Sequence, residues 1–392
     1  MSSAKRLLII SNRYPVGPDD TASPFVYDFR RALDNLNIEV DIVTPYYESS
    51  SHKKNYLDEH LIRFKWSDGS KVISQLPFYK PSTFFKIRNF FKAGLKAGEE
   101  CFEKNRYDGI IALWAAPSGY IAYKLSKKYN VPYAVWGLGS DINRWATLPL
   151  VGNIIVKVLK KADALYADGY ELAMKVQALA DKECTFIPSF HAIEIEADST
   201  SEEYGKYFIS VGRIEKSKGV FDLLDAFRIF IKKNPEWRLY YVGTGLAEKE
   251  LRQRISMYGL EEEVKYLGYL HRQGINKLLI NAVAAVIPSY SDSLPLTFGE
   301  AMQAKVPVIC SDIGDMPLLI DRYNVGYYYH VGNVKELAIT MKMMAEKNNE
   351  MARNCWKVLD ELDINNSAKM VKRWLDSKTE IDIAKGVVNA NG

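Results

Sequence analysis

Long apolar runs, paired cysteines and a dominant charge are all missing from this chain of 392 residues. The four cysteines, Cys101, Cys184, Cys310 and Cys355, lie far apart with no CxxC or CxxH spacing. That excludes a patterned zinc site or disulfide framework and points to buried thiols in a reducing compartment. The five histidines, His52, His60, His191, His271 and His330, show no HxxH spacing, and no DxD pairing marks a metal site. Metal-assisted chemistry therefore has no support, and no cofactor is expected. A formal charge of +4 is small for this length and gives no reason to expect a nucleic-acid partner. No apolar run approaches the roughly 18 residues of a membrane span. The N-terminal "MSSAKRLLIISNRYP" has an apolar core of four residues, too short for a signal peptide and suited to a first buried strand.

What is present is a globular composition, 47% hydrophobic and 26% charged, long enough for two cores. In the front half "RLLIIS" (6–11), "IEVDIVTP" (38–45), "DGIIALW" (108–114) and "VPYAVWG" (131–137) read as strands, separated by helical patterns at 25–36 and 119–129. A second series starts at "KYFISVGR" (206–213) and alternates strands and helices through "PVICS" (307–311). Apolar strands alternating with amphipathic helices imply parallel sheets with helices on both faces. The polar, acidic "EIEADSTSEEYGK" (194–206) is the expected linker. The expected fold class is α/β, with two Rossmann-like domains, 1–195 and 196–392, facing each other across a cleft, and a last helix able to cross back to the first.

Several strand ends carry candidate chemistry. In "SVGRIEKSKGVFDLLDAF" (210–227) a strand enters a turn at Gly212, followed by Arg213, Lys218 and Gly219 at the start of a helix. Two cations and a helix N-terminus suit a diphosphate; a solvated loop that also holds Glu215 is the alternative. In "VGTGLAEKE" (242–250) Gly243 and Gly245 begin a dinucleotide-like fingerprint, but Glu248 occupies the third glycine position, which disfavours NAD. The pair reads either as a tight turn or as backbone brought close to a ligand. In "VWGLGSDINRWA" (135–146) Asp141 suits a sugar hydroxyl, although the local pattern by itself favours a helix cap. "SDSLPLTFGEAM" (291–302) places Asp292 and Glu300 eight positions apart where a buried strand gives way to a helix. The helix in "KPSTFFKIRNFFKAGLKAG" (80–98) sets Phe84, Ile87, Phe91 and Leu95 on one stripe, with Lys86, Arg88, Lys92 and Lys96 off it. It packs on its own domain or, with the basic 151–162 segment, lies on an anionic membrane.

Taken together, "SVGRIEKSKG", "YVGTG", "KYLGYL" and "VIPSYSDSLPLTFGEAMQAKVPVICSDIGDMP" stand in the order found in the retaining glycosyltransferases of family 4, the group 1 enzymes with the GT-B fold, which the chain resembles over nearly its whole length. The resemblance implies that Arg213 and Lys218 hold the diphosphate of a nucleotide-sugar donor, Glu300 accepts from ribose hydroxyls, and Asp292 meets the transferred sugar. Backbone at Leu296 and Thr297 would meet phosphate, and the turn around Gly268 and Leu270 would face the base. "LGSDI" resembles the family's histidine-glycine-serine-aspartate motif. The chain departs from the pattern at Asp292, one methylene shorter than the usual glutamate, and at Leu138, where histidine is usual. It departs again in the first loop, where Gly17 is the only glycine. The implied activity is metal-independent transfer, with retention, of a sugar from a UDP- or GDP-sugar to a hydroxyl of a lipid-linked or cell-surface glycan precursor. The implied location is the cytoplasm or the cytoplasmic membrane face. A nucleotide-sugar epimerase and a non-catalytic sugar-binding module are the alternatives.

Overall fold

The computed structural model describes residues 4–16, 20, 23–47, 60–68, 73, 76, 80–190, 205–346 and 350–390. The chain divides into two compact units, residues 1–189 with 364–392, and residues 190–363.

The first unit contains β1 (Lys5–Ser11), α1 (Phe25–Asp34), β2 (Ile38–Pro45), β3 (Leu61–Phe64), α2 (Pro81–Lys104), β4 (Gly109–Leu113), α3 (Ser118–Tyr129), β5 (Tyr133–Gly137), α4 (Val151–Lys161), β6 (Ala164–Ala167), α5 (Tyr170–Ala180) and β7 (Thr185–Phe186). Its sheet runs β3-β2-β1-β4-β5-β6-β7, and the pairings are parallel. Strand β1 shows why both faces are apolar. Successive side chains alternate across a strand, so Leu7 and Ile9 enter the core shared with Phe25 and Phe29, while Leu8 and Ile10 enter the one shared with Phe90 and Ile121. Trp136 is fully buried, edge-on to Phe25 and Phe29 at 5.7 and 5.1 Å.

The second unit contains β8 (Lys206–Val211), α6 (Val220–Ile231), β9 (Trp237–Val242), α7 (Glu248–Met257), β10 (Val264–Tyr266), α8 (Arg272–Ile280), β11 (Ala284–Ile287), α9 (Leu296–Gln303), β12 (Val308–Ser311), α10 (Met316–Tyr323), β13 (Gly326–Tyr329), α11 (Val334–Ala345) and α12 (Glu350–Leu362). The last helix, α13 (Ile364–Ala390), returns to the first unit, where Ala368, Val371 and Leu375 are buried. The second sheet, also parallel, runs β10-β9-β8-β11-β12-β13. The chain builds outward from β8 to β10 and then restarts on the other side of β8 with β11. Connections leaving β8 and β11 therefore diverge to opposite faces and open a crevice at the carboxyl ends of those strands.

Along most of helix α2 the packing reading of the basic segment holds. Phe90, Ala97 and Cys101 are buried, and Gly94 and Gly98 permit close packing: a Cβ on Gly98 would lie 2.4 Å from Leu125 Cδ1. Ile87, Phe91 and Leu95 are partly buried against the same core. The expected single apolar stripe therefore faces mostly inward, and only its first turn, with Phe84 at 67% and Phe85 at 68% exposure, leaves large apolar side chains outside. Strands β3, β6, β7 and β13, each four residues or fewer, are not anticipated from sequence. Among the described residues, no helix is long and apolar enough to cross a membrane.

Candidate functional site

A cavity of about 260 Å³ occupies the switch point of the second unit, lined by Gly212 and Arg213 after β8, by Pro288 and Ser289 after β11, and by Lys218, Asp292, Leu296 and Thr297. Backbone contacts hold its walls. The N–H of Tyr290 donates to Ser217 O at 2.9 Å, joining the β8 and β11 loops. The hydroxyl of Thr297 donates to Val211 O at 3.2 Å, fixing the first turn of α9 over the end of β8. A larger cavity of about 590 Å³, lined by Arg6, Glu39 and His60 among others, lies at the amino ends of β1 and β2, opposite the end at which such sheets bind ligands.

The glycines here have separate jobs. Gly219, at φ +64°, precedes α6, and a Cβ there would stand 1.9 Å from Pro288 O. Gly243, at φ +126°, would bring a Cβ to 1.9 Å from Gly212 O, and its N–H donates to Gly268 O at 2.8 Å. Gly243 therefore lets three strand ends stack, which favours the turn reading. Neither it, Gly268 nor Leu270 lines the cavity.

The charged groups are already engaged. Lys218 Nζ donates to both carboxylate oxygens of Asp292, at 2.6 and 2.7 Å. Arg213 Nη1 donates to Glu215 Oε1 at 2.9 Å, and its side chain is 67% exposed. Sequence reasoning left Glu215 to the solvated-loop alternative; its place two positions after Arg213 in the same loop is the signal that could have identified it. Glu300 lies one turn further along α9 than the cavity wall. Burial pushes its carboxyl up to about 7, partly offset by the Arg272 guanidinium, a neighbour 28 positions away that no sequence pattern indicates.

Asp141 does not occupy the role expected of it. It is 1% exposed, and its two oxygens accept from the N–H groups of Ala115 at 2.6 Å and Leu138 at 3.2 Å. Burial raises its carboxyl to about 6 against those stabilising bonds. Its chemistry is to tie the end of β4 to the loop after β5, not to reach a sugar hydroxyl. Leu138, at the position of the family's histidine, packs against the core of the first unit. Gly17 lies outside the described residues. Replacing Asp141 with alanine leaves two buried N–H groups without that acceptor and lowers stability by roughly 2–4 kcal/mol. Urea unfolding of this variant beside Asp141→Asn, which keeps one acceptor and recovers part of the loss, measures this.

A parallel sheet with cations and a helix start at its switch point is shared by many nucleotide-binding proteins, and the comparisons narrow it. Residues 192–357 match the family "Glycosyl transferases group 1". The second unit is thus similar, over nearly all of its length, to the group 1 glycosyl transferases. The chain is 24% identical over 354 residues, 81% of its own length and 84% of the other, to TuaC of Bacillus subtilis (strain 168), provisionally assigned as a teichuronic acid biosynthesis glycosyltransferase. It is 25% identical over 269 residues, 65% of its own chain and 69% of the other, to the N-acetyl-alpha-D-glucosaminyl L-malate synthase of Bacillus anthracis. Among solved structures, Anabaena HepE in complex with UDP superposes with a TM-score of 0.73 at 18% identity, covering 95% of this chain and 100% of that one. The shared fold is GT-B, two Rossmann-like units in one chain.

Proposed function

We propose that this protein is a glycosyl transferase that moves a sugar, with retention of anomeric configuration and without a metal, from a nucleoside diphosphate sugar to an acceptor hydroxyl. The observation that carries the reading is the switch-point cavity with Lys218, Arg213 and the first turn of α9 on its walls. As the sugar leaves, negative charge builds on the β-phosphate. Preorganised cations and helix N–H groups aimed at that charge stabilise the transition state more than the ground state. Glu300 accepts from ribose hydroxyls, the Gly268–Leu270 turn faces the base, and the departing phosphate takes the acceptor's proton. HepE, crystallised with UDP and with UDP-glucose, supports a nucleotide-sugar donor. A thermal-shift panel of UDP, GDP, ADP and their sugars tests the reading, because a ligand that binds only the folded state raises its stability. A rise of the transition with at least one is expected; no rise with any of them overturns it.

Glu300 gives the donor site a pH dependence. In the folded chain it holds its proton up to about 7 instead of 4.5, so its contribution to stability falls as pH rises from 4.5 through 7. Ribose hydroxyls donate to the charged form, so donor binding strengthens over the same rise and releases a proton. Calorimetry in buffers of different ionisation heat should register that release in the parent and lose it in Glu300→Gln.

The acceptor is proposed to be a lipid-linked or cell-surface polysaccharide precursor on the cytoplasmic membrane face. TuaC's assignment supports the class, and the first half of α2 supports contact with anionic lipid, having Phe84, Phe85, Arg88 and Lys92 outside. Lys86 is committed to Asp68 at 2.5 Å and contributes less. Substituting Phe84 and Phe85 with serine and Arg88 and Lys92 with glutamine should abolish co-sedimentation with anionic vesicles, each basic residue being worth about 1 kcal/mol. Equal binding by parent and variant rejects the membrane contact.

A further inference from the structure

Both cations of the donor cavity are neutralised by acids of the same chain, and the two pairs are built differently. Arg213 leans on Glu215 within one exposed loop. The pair of Lys218 with Asp292 joins positions 74 apart, and its side chains are only 21% and 18% exposed, so solvent screens it weakly. Its geometry is imposed by backbone on both sides. The Lys218 loop is pressed on Pro288 O through Gly219 and tied by Ser217 O to the N–H of Tyr290. The Asp292 loop is pressed on Gly314, where a Cβ would lie 2.4 Å from Asp292 O, and tied by Ser293 O to the N–H of Asp315 at 2.9 Å. Two of the three ammonium protons of Lys218 are directed at Asp292, and each Asp292 oxygen gives one lone pair to Lys218. While paired, Lys218 keeps a single proton for a donor phosphate, and its charge is already countered by Asp292.

We infer that Asp292 is the displaceable counter-ion of Lys218, and that exchange of this pair for sugar and phosphate contacts discriminates sugar nucleotide from spent nucleoside diphosphate. The inference rests on the donor-site reading above. When a nucleoside diphosphate sugar enters, phosphate oxygens replace Asp292 on Lys218, and sugar hydroxyls replace Lys218 as donors to Asp292. Both halves of the broken pair are satisfied. After transfer the sugar is gone, and Asp292 is left as an unpaired carboxylate beside an anionic phosphate. Re-forming the pair at Lys218 then expels the nucleoside diphosphate. The same contacts that admit the donor thus weaken the hold on the product.

Calorimetric titration of UDP, GDP and ADP into the parent identifies the diphosphate it binds. That diphosphate is then titrated into Asp292→Asn, Asp292→Ser, Lys218→Met and the Lys218→Met/Asp292→Asn double variant. Removing the counter-ion alone, by either substitution, is expected to tighten diphosphate binding by roughly tenfold, within the range of coupled neighbours. In the Lys218→Met background the gain should fall below about twofold, because there is no longer a cation to compete for. A gain that persists in that background means Asp292 acts only by long-range repulsion and overturns the inference, as does no gain in the single variants. If the parent binds none of the three diphosphates, the donor-site reading falls and the inference with it.

Discussion

Exchanging Lys218 for methionine lowers glycosyl transfer by roughly 100- to 1,000-fold, a loss of about 2.7–4 kcal/mol of transition-state stabilisation. The magnitude follows from position. Lys218 lines the cavity, is 21% exposed, and sits in a short 3₁₀ turn, Lys216–Lys218, whose exit at Gly219 is locked against the end of β11. A cation held that firmly needs little reorganisation when charge develops beside it, which is the condition under which such groups act most strongly. Arg213 is also on the cavity wall but is 67% exposed, and its pair with Glu215 is open to solvent. Arg213→Ala should therefore cost less, roughly 10- to 100-fold, for a charge-assisted contact of about 1.5–3 kcal/mol. Steady-state rates with the donor selected by thermal shift check the ordering. A Lys218 variant with full turnover removes the phosphate role, and an Arg213 variant more impaired than the Lys218 variant reverses the assignment of the principal cation.

Why Lys218 is readable in the sequence and its pairing is not is a matter of what each depends on. The lysine stands just after a buried strand and just before a helix, and both elements announce themselves through local periodicity in "SVGRIEKSKGVFDLLDAF". The same holds for Asp292 and Glu300, which flank the start of α9. Contact between Lys218 and Asp292 depends on β8 lying beside β11, a consequence of strand order that no local pattern encodes. Asp141 fails for a related reason. In sequence it is an acid in a glycine-rich loop, and only the approach of Ala115, 26 positions earlier, turns that loop into a buried bracket. Helix α2 is legible in part: Ile87, Phe91 and Leu95 of the expected stripe pack on the core while Phe84 does not, and the most buried side also takes in Phe90 and Ala97, which the stripe leaves out. Strand-end chemistry was legible because backbone periodicity carried it, and the use of each carboxylate was not, because that is decided by neighbours distant in the chain.

Gly219→Ala should damage both the second unit and its site, and Gly259 supplies the comparison that separates strain from collision. Both glycines have φ near +64°, where an L side chain costs about 1–2 kcal/mol. Around Gly259 nothing lies within 4 Å of the added Cβ, so Gly259→Ala pays that conformational term alone. At Gly219 the Cβ falls 1.9 Å from Pro288 O and 2.8 Å from Pro288 C, main-chain atoms at the end of β11 that have no rotamer to escape into. The β8 loop must then retreat from β11, loosening the bond from Tyr290 N–H to Ser217 O. A total of roughly 3–5 kcal/mol is expected for Gly219→Ala, at the upper end for single substitutions, against about 1 kcal/mol for Gly259→Ala. Because Lys218 is the residue immediately before the glycine, the retreat also carries its ammonium away from the cavity it lines, and nucleoside diphosphate binding should weaken in this variant but not in the Gly259 one. Denaturant unfolding and titration on the pair give the answer. Equal destabilisation of the two would mean that the close approach of β8 and β11 is not what holds the cavity open at its phosphate end.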